Sequence, residues 1–328
     1  MAVPTGTYQT FQAIGNREDL EDIIWDISPT ETPFVSNIAK IKAKARLHEW
    51  QTDALDAAGA NSQIEGDDAT TNTATPTVRL TNYCQILTKV PRVSGTQETV
   101  DKAGRAGEMA YQTRKRMEEI KRDLEYAAAR NQASSAGSAS VPSRMASVES
   151  WLATNKTSKG AGSLINPTTP GFSSGTVASP GDSTTQGTLN EADLKAVIQA
   201  CWTEGGDPKV IMCAAVVKSR ISTSFAGIAT RYRDANKNSG AAIVSGVDLY
   251  ISDFGEHRIV PNRFVRDRNV LVLDMDYWAL AQLRPLKAEA LAKTGDSERK
   301  MLIMEATLVS RNEKASGKVT DINSALVP

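Results

Sequence analysis

Between Thr96 and Gln132 the chain carries one continuous seam. Ala103, Ala106, Ala110, Thr113, Met117, Ile120, Leu124 and Ala127 recur at steps of three and four residues, the period of one face of an α-helix. The spacing predicts a helix over about 97–131, and at ~1.5 Å per residue such a rod would reach about 45 Å. The opposite face is charged. Lys115 with Glu119, Glu118 with Arg122, and Lys121 with Glu125 stand four residues apart, a spacing at which each pair adds roughly 0.2–0.5 kcal/mol. The seam is built mostly of small residues, and Gly104 and Gly107 weaken its first half while allowing close backbone approach. A coiled coil is the alternative, but an Ala-rich seam makes a poor dimer core. A strut packed against something else fits better.

The segments before this strut cannot bury a core of their own. Residues 1–50 hold few apolar side chains; Asn16 can cap a helix whose face is Leu20, Ile23, Ile24 and Ile27, ending at Pro29. Ser28 to Phe34 then contains Pro29 and Pro33, which bias the chain toward an extended arm. Lys40, Lys42, Lys44 and Arg46 follow in alternation, so a strand would place all four charges on one face. That face is either a solvated edge or a grip on an acidic partner or packaged nucleic acid. Strand-like segments at 47–51 and 78–90 flank a polar stretch rich in Ala, Asp, Asn, Thr and Gly. Two strands with a long polar tip form a hairpin too thin to stand alone. At that tip, Glu65-Gly66-Asp67-Asp68 lacks calcium-loop spacing and reads as a solvated turn or an inter-subunit charge contact.

After the strut, 141–154 reads as a short anchoring helix with Met145, Val148, Trp151 and Leu152 inward, and 159–188 as a long low-complexity loop. Compact α/β character then appears. A helix is predicted from Leu189 to about Gly205, strands at 209–214, 247–252, 257–260 and 270–273, and a second helix at 216–225. A long strand at 300–311 is expected to return as a hairpin through 317–322.

Composition narrows the chemistry. Over 328 residues, 38 Lys+Arg balance 38 Asp+Glu, which removes the strong basic footprint of a dedicated nucleic-acid binder. The longest apolar run, Val210 to Val217, is far shorter than the ~18 residues of a membrane span. Nor is there a secretory signal at the N-terminus. Cys84, Cys201 and Cys213 lack metal-site or disulfide-framework spacing and read as reduced core residues. Neither a phosphate loop nor a dinucleotide turn occurs. No cofactor, metal or catalytic residue is assigned. The one catalytic match, Gly171-Phe172-Ser173-Ser174-Gly175, lacks the strand and helix that a nucleophile elbow requires; a hydrolase using Ser173 with His257 is a remote alternative. His48 and His257, the only histidines, read as strand residues.

Arm, long hairpin, strut, α/β unit and terminal strands together describe a subunit that needs copies of itself. In wording as well as layout, the chain resembles tailed-phage major capsid proteins of the Hong Kong 97-type fold. The stations are Ile27-Ser28-Pro29-Thr30-Glu31-Thr32-Pro33-Phe34, His48-Glu49-Trp50-Gln51-Thr52-Asp53, Glu149-Ser150-Trp151-Leu152 and Ile259-Val260-Pro261-Asn262-Arg263. They continue in Asp276-Tyr277-Trp278-Ala279-Leu280, Leu291-Ala292-Lys293-Thr294-Gly295-Asp296 and Arg311-Asn312-Glu313. The resemblance implies an α+β fold with an N-terminal arm (1–48), an extended loop (49–85) and a peripheral domain (86–187) holding the spine helix. An axial domain (188–289) and peripheral return strands (290–328) complete it. It also implies hexamers and pentamers forming an icosahedral shell around double-stranded DNA without sequence-specific binding. Separate scaffolding, portal and decoration proteins would be further partners, and no membrane is involved. Residues 51–80 contain no lysine, so the isopeptide crosslink of some members through this loop is not expected. Because the arm starts almost at once, scaffolding is expected, if Met1 is native, to come from a separate protein or to be dispensed with. The inter-subunit contacts expected are Pro29, Thr32, Pro33, Phe34 and Trp50, with Glu65, Asp67 and Asp68 meeting Lys115, Arg116 and Arg122 of a neighbour. An encapsulin-like compartment is the alternative within the same fold.

Overall fold

The computed structural model describes residues 28–68, 74–160, 177–224, 233–234, 242–243 and 248–323. The helix expected between Asn16 and Ile27, the Ser173 motif and the last residue of the helix expected at 216–225 lie outside them.

The arm is not extended throughout. Pro33–Asn37 forms a short helix, α1, with proline in its first turn, where a missing N–H is lost at no cost. Strand β1 (Ala39–Lys42) follows. It holds only Lys40 and Lys42, because Ala43 turns inward at 1% exposure and leaves Lys44 and Arg46 beyond the strand. The hairpin forms as expected from β2 (Leu47–Thr52) and β3 (Val78–Tyr83), in antiparallel register from Leu47↔Tyr83 to Thr52↔Val78. The single strand expected at 78–90 is broken at Cys84, whose N–H donates to Arg46 O at 2.8 Å. Beyond it, β4 (Gln85–Lys89) and β5 (Arg92–Ser94) join a different sheet.

The predicted strut is two helices, α2 (Gly95–Thr99) and α3 (Glu108–Ala129). Between them Gly104 takes a left-handed φ of +74°, and Ala103 and Ala106 fall outside the helix. Gly107 has no side chain to cap α3; Glu98 supplies the acceptor instead, taking the Met109 N–H at 3.0 Å. With 22 residues, α3 is about 33 Å long. Its seam is buried at Ile120, Leu124 and Ala127, half-buried at Thr113 and Met117, and exposed at Ala110. The C-terminal half thus packs on the chain's own sheet, while the N-terminal half beyond buried Glu108 and Met109 is exposed or half-buried. The charge pairs also differ from the sequence pattern. Glu118 lies 3.6 Å from Arg114, and Glu119 is held by Arg116 at 2.6 Å, while Glu125 points inward at 0% exposure.

Helix α4 (Val148–Trp151) is buried on all sides, as the anchoring segment predicts. Strand β6 (Lys156–Ser158) leads to α5 (Glu191–Thr203), which opens with a capping box of Asn190 and Asp193. Then come β7 (Val210–Cys213), α6 (Ala215–Ser224) and the short pair β8 (Arg233–Asp234) and β9 (Ala242–Ile243). After them run β10 (Leu249–Ser252), β11 (Gly255–Pro261), β12 (Val270–Leu273), β13 (Trp278–Ala290), β14 (Ser297–Ser310) and β15 (Gly317–Thr320).

Two main sheets result. The first runs β1-β13-β14-β4, with β5 also on β14; its long hairpin of β13 and β14 underlies α3. The second runs β10-β11-β7-β12-β15-β6. Strand β12, Val270-Leu271-Val272-Leu273, is buried at every position, as an uninterrupted β-branched and Leu run in a central strand should be. The expected hairpin of 300–311 with 317–322 does not form. Both edges of β14 are taken by β13 and by β4 with β5, and a turn at 313–315 capped by Asn312 sends the chain to β12 and β6 instead. Gly317 permits this docking, since a Cβ there would meet Val197 Cγ1 at 2.5 Å and Asn155 O at 2.7 Å.

Candidate assembly surfaces

At one joint three parts of the chain meet on a single carboxylate. Glu125, fully buried on α3, accepts the N–H of Phe34 at 2.9 Å, the N–H of Val35 at 2.8 Å and the Asn262 amide at 2.6 Å. It therefore caps the open N-terminus of α1 and ties arm, spine and the loop after β11 together. Burial pushes its pKa above the usual carboxylate range, while the three donors pull the other way. Phe34, at 1% exposure, sets its ring edge-on to Trp278 with centroids 6.0 Å apart. Phe34 thus lies in the core of its own subunit; Pro29, Thr32 and Pro33 around it are half-buried. Trp50 is likewise engaged at home: its Nε1–H donates to Ser310 O at 2.8 Å, and its ring lies 5.4 Å from that of Trp151.

The hairpin beyond β2 and β3 has the opposite character. Residues 53–68 and 74–77 are exposed throughout, Leu55 at 99% and Ile64 at 79%. At the tip, Asp67 N–H donates to Ile64 O at 3.2 Å around Gly66, whose φ is +84°. Glu65, Asp67 and Asp68 have no cationic partner among the described residues. Of the cations expected to face them, Lys115 is exposed, Arg116 is held by Glu119, and the Nε of Arg122 is buried without an acceptor. Lys40, Lys42, Lys44 and Arg46 are all exposed beside edge strand β1, with Arg46 over the Tyr83 ring at 5.8 Å.

A polar hub that the sequence pattern did not reveal ties α4 to the loop between β11 and β12 and to β15 of the second sheet. Glu149, 1% exposed, is gripped by Arg266, which also takes both oxygens of Asp182 at 2.8 Å. Arg268 pairs with Asp321, and Lys318, fully buried on β15, donates to Glu149 O at 2.7 Å. Burial lowers the Lys318 pKa to about 8.

The cysteines and His257 are buried and engaged. Burial pushes the Cys84 thiol up to about 11 and those of Cys201 and Cys213 up to about 12, which removes the reactive thiolate at neutral pH. Both His257 nitrogens are engaged, Nε2 by Ser252 Oγ at 2.7 Å and Nδ1 by Pro208 O at 2.5 Å. Burial lowers the pKa of His48. Among the described residues no cluster of His, Cys, Asp and Glu could hold a metal, and no helix is long and apolar enough to cross a membrane.

The SU10 major capsid protein family matches residues 3–323. The chain belongs to that family. A curated relative, the major capsid protein of Escherichia phage Phieco32, is 29% identical over 346 residues and covers 97% of each chain. Solved structures with the same fold include a capsid chain of Cyanophage A-1(L), at 12% identity and a TM-score of 0.67 over 96% of this chain and 98% of that one. A chain of Mycobacterium phage Bobi has 12% identity and a TM-score of 0.58, over 93% and 95%. A chain from phage G, described as gp27 major capsid proteins with gp26 decoration proteins, has 10% identity and a TM-score of 0.55, over 98% and 100%. This capsid protein therefore has the Hong Kong 97-like fold and builds the shell of a tailed phage. The family match favours a virion over an encapsulin-like compartment.

Proposed function

We propose that the protein works mechanically, by lending its hairpin and the N-terminal half of its spine to neighbouring copies so that hexamers and pentamers close into an icosahedral shell around double-stranded DNA. The observation that carries this reading is the hairpin itself. Two paired strands project some twenty described residues that bury nothing at home, including Leu55 and Ile64 at 99% and 79% exposure. Surface of that kind is stable only when covered, and closed symmetry multiplies each modest contact around the shell.

In this reading 1–48 is the arm, 49–85 the extended loop, 86–187 with 290–328 the peripheral domain, and 188–289 the axial domain. Strands β6 and β15 link the last two by completing the second sheet. Glu65, Asp67 and Asp68 meet basic side chains of a neighbour, and the half-buried Pro29, Thr32 and Pro33 extend the contact. Lys40, Lys42, Lys44 and Arg46 face the lumen or a partner. The neutral chain confines DNA and does not condense or read it. Assembly takes place in the host bacterial cytoplasm with separate scaffolding and portal proteins, and decoration proteins can bind outside. No catalysis is involved, and Ser173→Ala leaves particles unchanged. Negative-stain microscopy of the protein produced alone and with its neighbouring genes tests the reading, together with nuclease protection of the contents. Closed shells protecting genomic DNA support it; discrete monomers in both preparations refute it.

A further inference from the structure

Beyond the C-terminal end of α3 two adjoining clefts of about 660 and 350 Å³ share Arg130 and Arg266. Arg144 lines the first, Arg263 and Arg268 the second. These arginines divide into two sets. Arg266 and Arg268 already hold carboxylates, Asp182 lying between them at 2.8 and 3.5 Å. Arg130, Arg144 and Arg263 have no carboxylate partner among the described residues, and the Nε of Arg130 is buried without an acceptor. Its guanidinium lies over the Tyr126 ring, 5.0 Å from the centroid, and guanidinium groups bind carboxylates in bidentate fashion. The seated Asp182 shows the chemistry the cleft accepts: a carboxylate on a short side chain.

We infer that this arginine cleft receives the Glu65-Gly66-Asp67-Asp68 turn of a second copy of the chain. The inference rests on the shell reading above and names the receptor within it. Charge complementarity supports it, three unpaired guanidinium groups facing three carboxylates that lack any cation at home. Reach supports it too. From Thr52 to the turn at 64–67 is about a dozen residues, or about 40 Å of extended chain, longer than the ~33 Å of α3. A hairpin lying along a neighbour's spine therefore brings its tip to the far end, where the cleft opens. The middle of the spine offers no such cleft, only Lys115, Lys121 and Arg122, unpaired among the described residues and spread along its length. Arg114 and Arg116 are paired with Glu118 and Glu119, and Lys89 already answers Asp123 at 3.0 Å.

The test is a charge swap in the full-length protein. Reversing the cleft (Arg130→Glu, Arg144→Glu, Arg263→Glu) should lower particle yield at least ~tenfold, the effect of about 1.4 kcal/mol per contact. Reversing the tip (Glu65→Lys, Asp67→Lys, Asp68→Lys) should do the same, and combining the two should restore particles. As a check independent of yield, Asp67→Cys with Arg144→Cys should give an interchain disulfide on oxidation, the three native thiols being buried. Normal assembly of the cleft reversal, or an Asp67→Cys that couples to Lys115→Cys in place of Arg144→Cys, overturns the inference. So do cleft-reversed particles that assemble normally and lose only their DNA, since phosphate is then the occupant. Removal of residues 54–76 separates the two levels: if that deletion assembles normally, the shell reading itself fails.

Discussion

Replacing Glu125 by alanine removes the acceptor on which arm, spine and axial loop converge. Three donors lose this carboxylate: the Phe34 and Val35 N–H groups and the Asn262 amide, which keeps only the weak Met212 sulfur at 3.2 Å. Val35 is only partly buried and can find water, whereas Phe34 and Asn262 are each 1% exposed. Stranding two buried donors at ~1–3 kcal/mol each, less the relief of removing a desolvated carboxylate, leaves a net loss of about 3 kcal/mol. For 328 residues the unfolding entropy is about 0.7 kcal/mol/K, so Tm falls by about 4 °C. Calorimetry measures that shift, and tryptic cleavage at exposed Lys40 and Lys42 should speed up as α1 loosens. Glu125→Gln keeps the shape but turns an amide donor toward one of the three donors, so it should lose about half as much. Wild type and Glu125→Gln also diverge with pH. Burial raises the folded-state pKa of Glu125 above its unfolded value, so its contribution is fully present below the ordinary carboxylate range and is lost as pH rises through the raised value. Glutamine does not titrate, and the gap between wild type and Glu125→Gln should shrink from acid to neutral pH. A Glu125→Ala protein melting within 1 °C of wild type with unchanged arm proteolysis would refute the joint; a gap that widens toward neutral pH would refute the burial argument.

Lys318→Met should stabilise the subunit at pH 7 by about 2 kcal/mol, the penalty of about 3 kcal/mol carried by a lysine lowered from 10.5 to about 8 less about 1 for the lost hydrogen bond to Glu149 O. The native lysine binds its proton less well than the unfolded one, so the stability gap between the Met variant and wild type should narrow from pH 8 toward 10.5 in chemical denaturation, the buried thiols being common to both. Leu124→Asp, at a site 3% exposed, puts an unpaired charge into the seam and should leave the protein insoluble or unassembled; normal particles would refute the seam. Trp50→Phe strands Ser310 O and should cost about 1–2 kcal/mol in a melt, with packing against Trp151 kept.

Periodicity and capping made most elements legible. The helical pattern from Leu189 marked α5, the apolar run at 270–273 marked β12, and the polar stretch between two strand patterns marked the hairpin. Where the sequence misled, a local rule met a tertiary one. The seam of Ala103 and Ala106 continued the helical period, but Gly104 relaxes into the left-handed region and ends it. The i,i+4 pattern placed Glu125 on the charged face, although it directly follows Leu124 in the seam; a carboxylate there signals a buried partner. Strand β15 looked like the return of β14 because they are neighbours in sequence, and pairing went instead to the free edge of β12. The hub of Glu149, Arg266 and Lys318 joins residues more than a hundred positions apart, which spacing does not show. Contacts with other copies depend on surfaces that one sequence cannot order in space.

Hydrogen exchange on residues 53–68 and 74–77, in the free subunit and in the assembled particle, probes the core idea most sharply. Amides that exchange freely in the subunit and become strongly protected in the particle are what an incomplete protomer predicts. Equal protection in both states would show that the hairpin folds against its own body and would contradict the account.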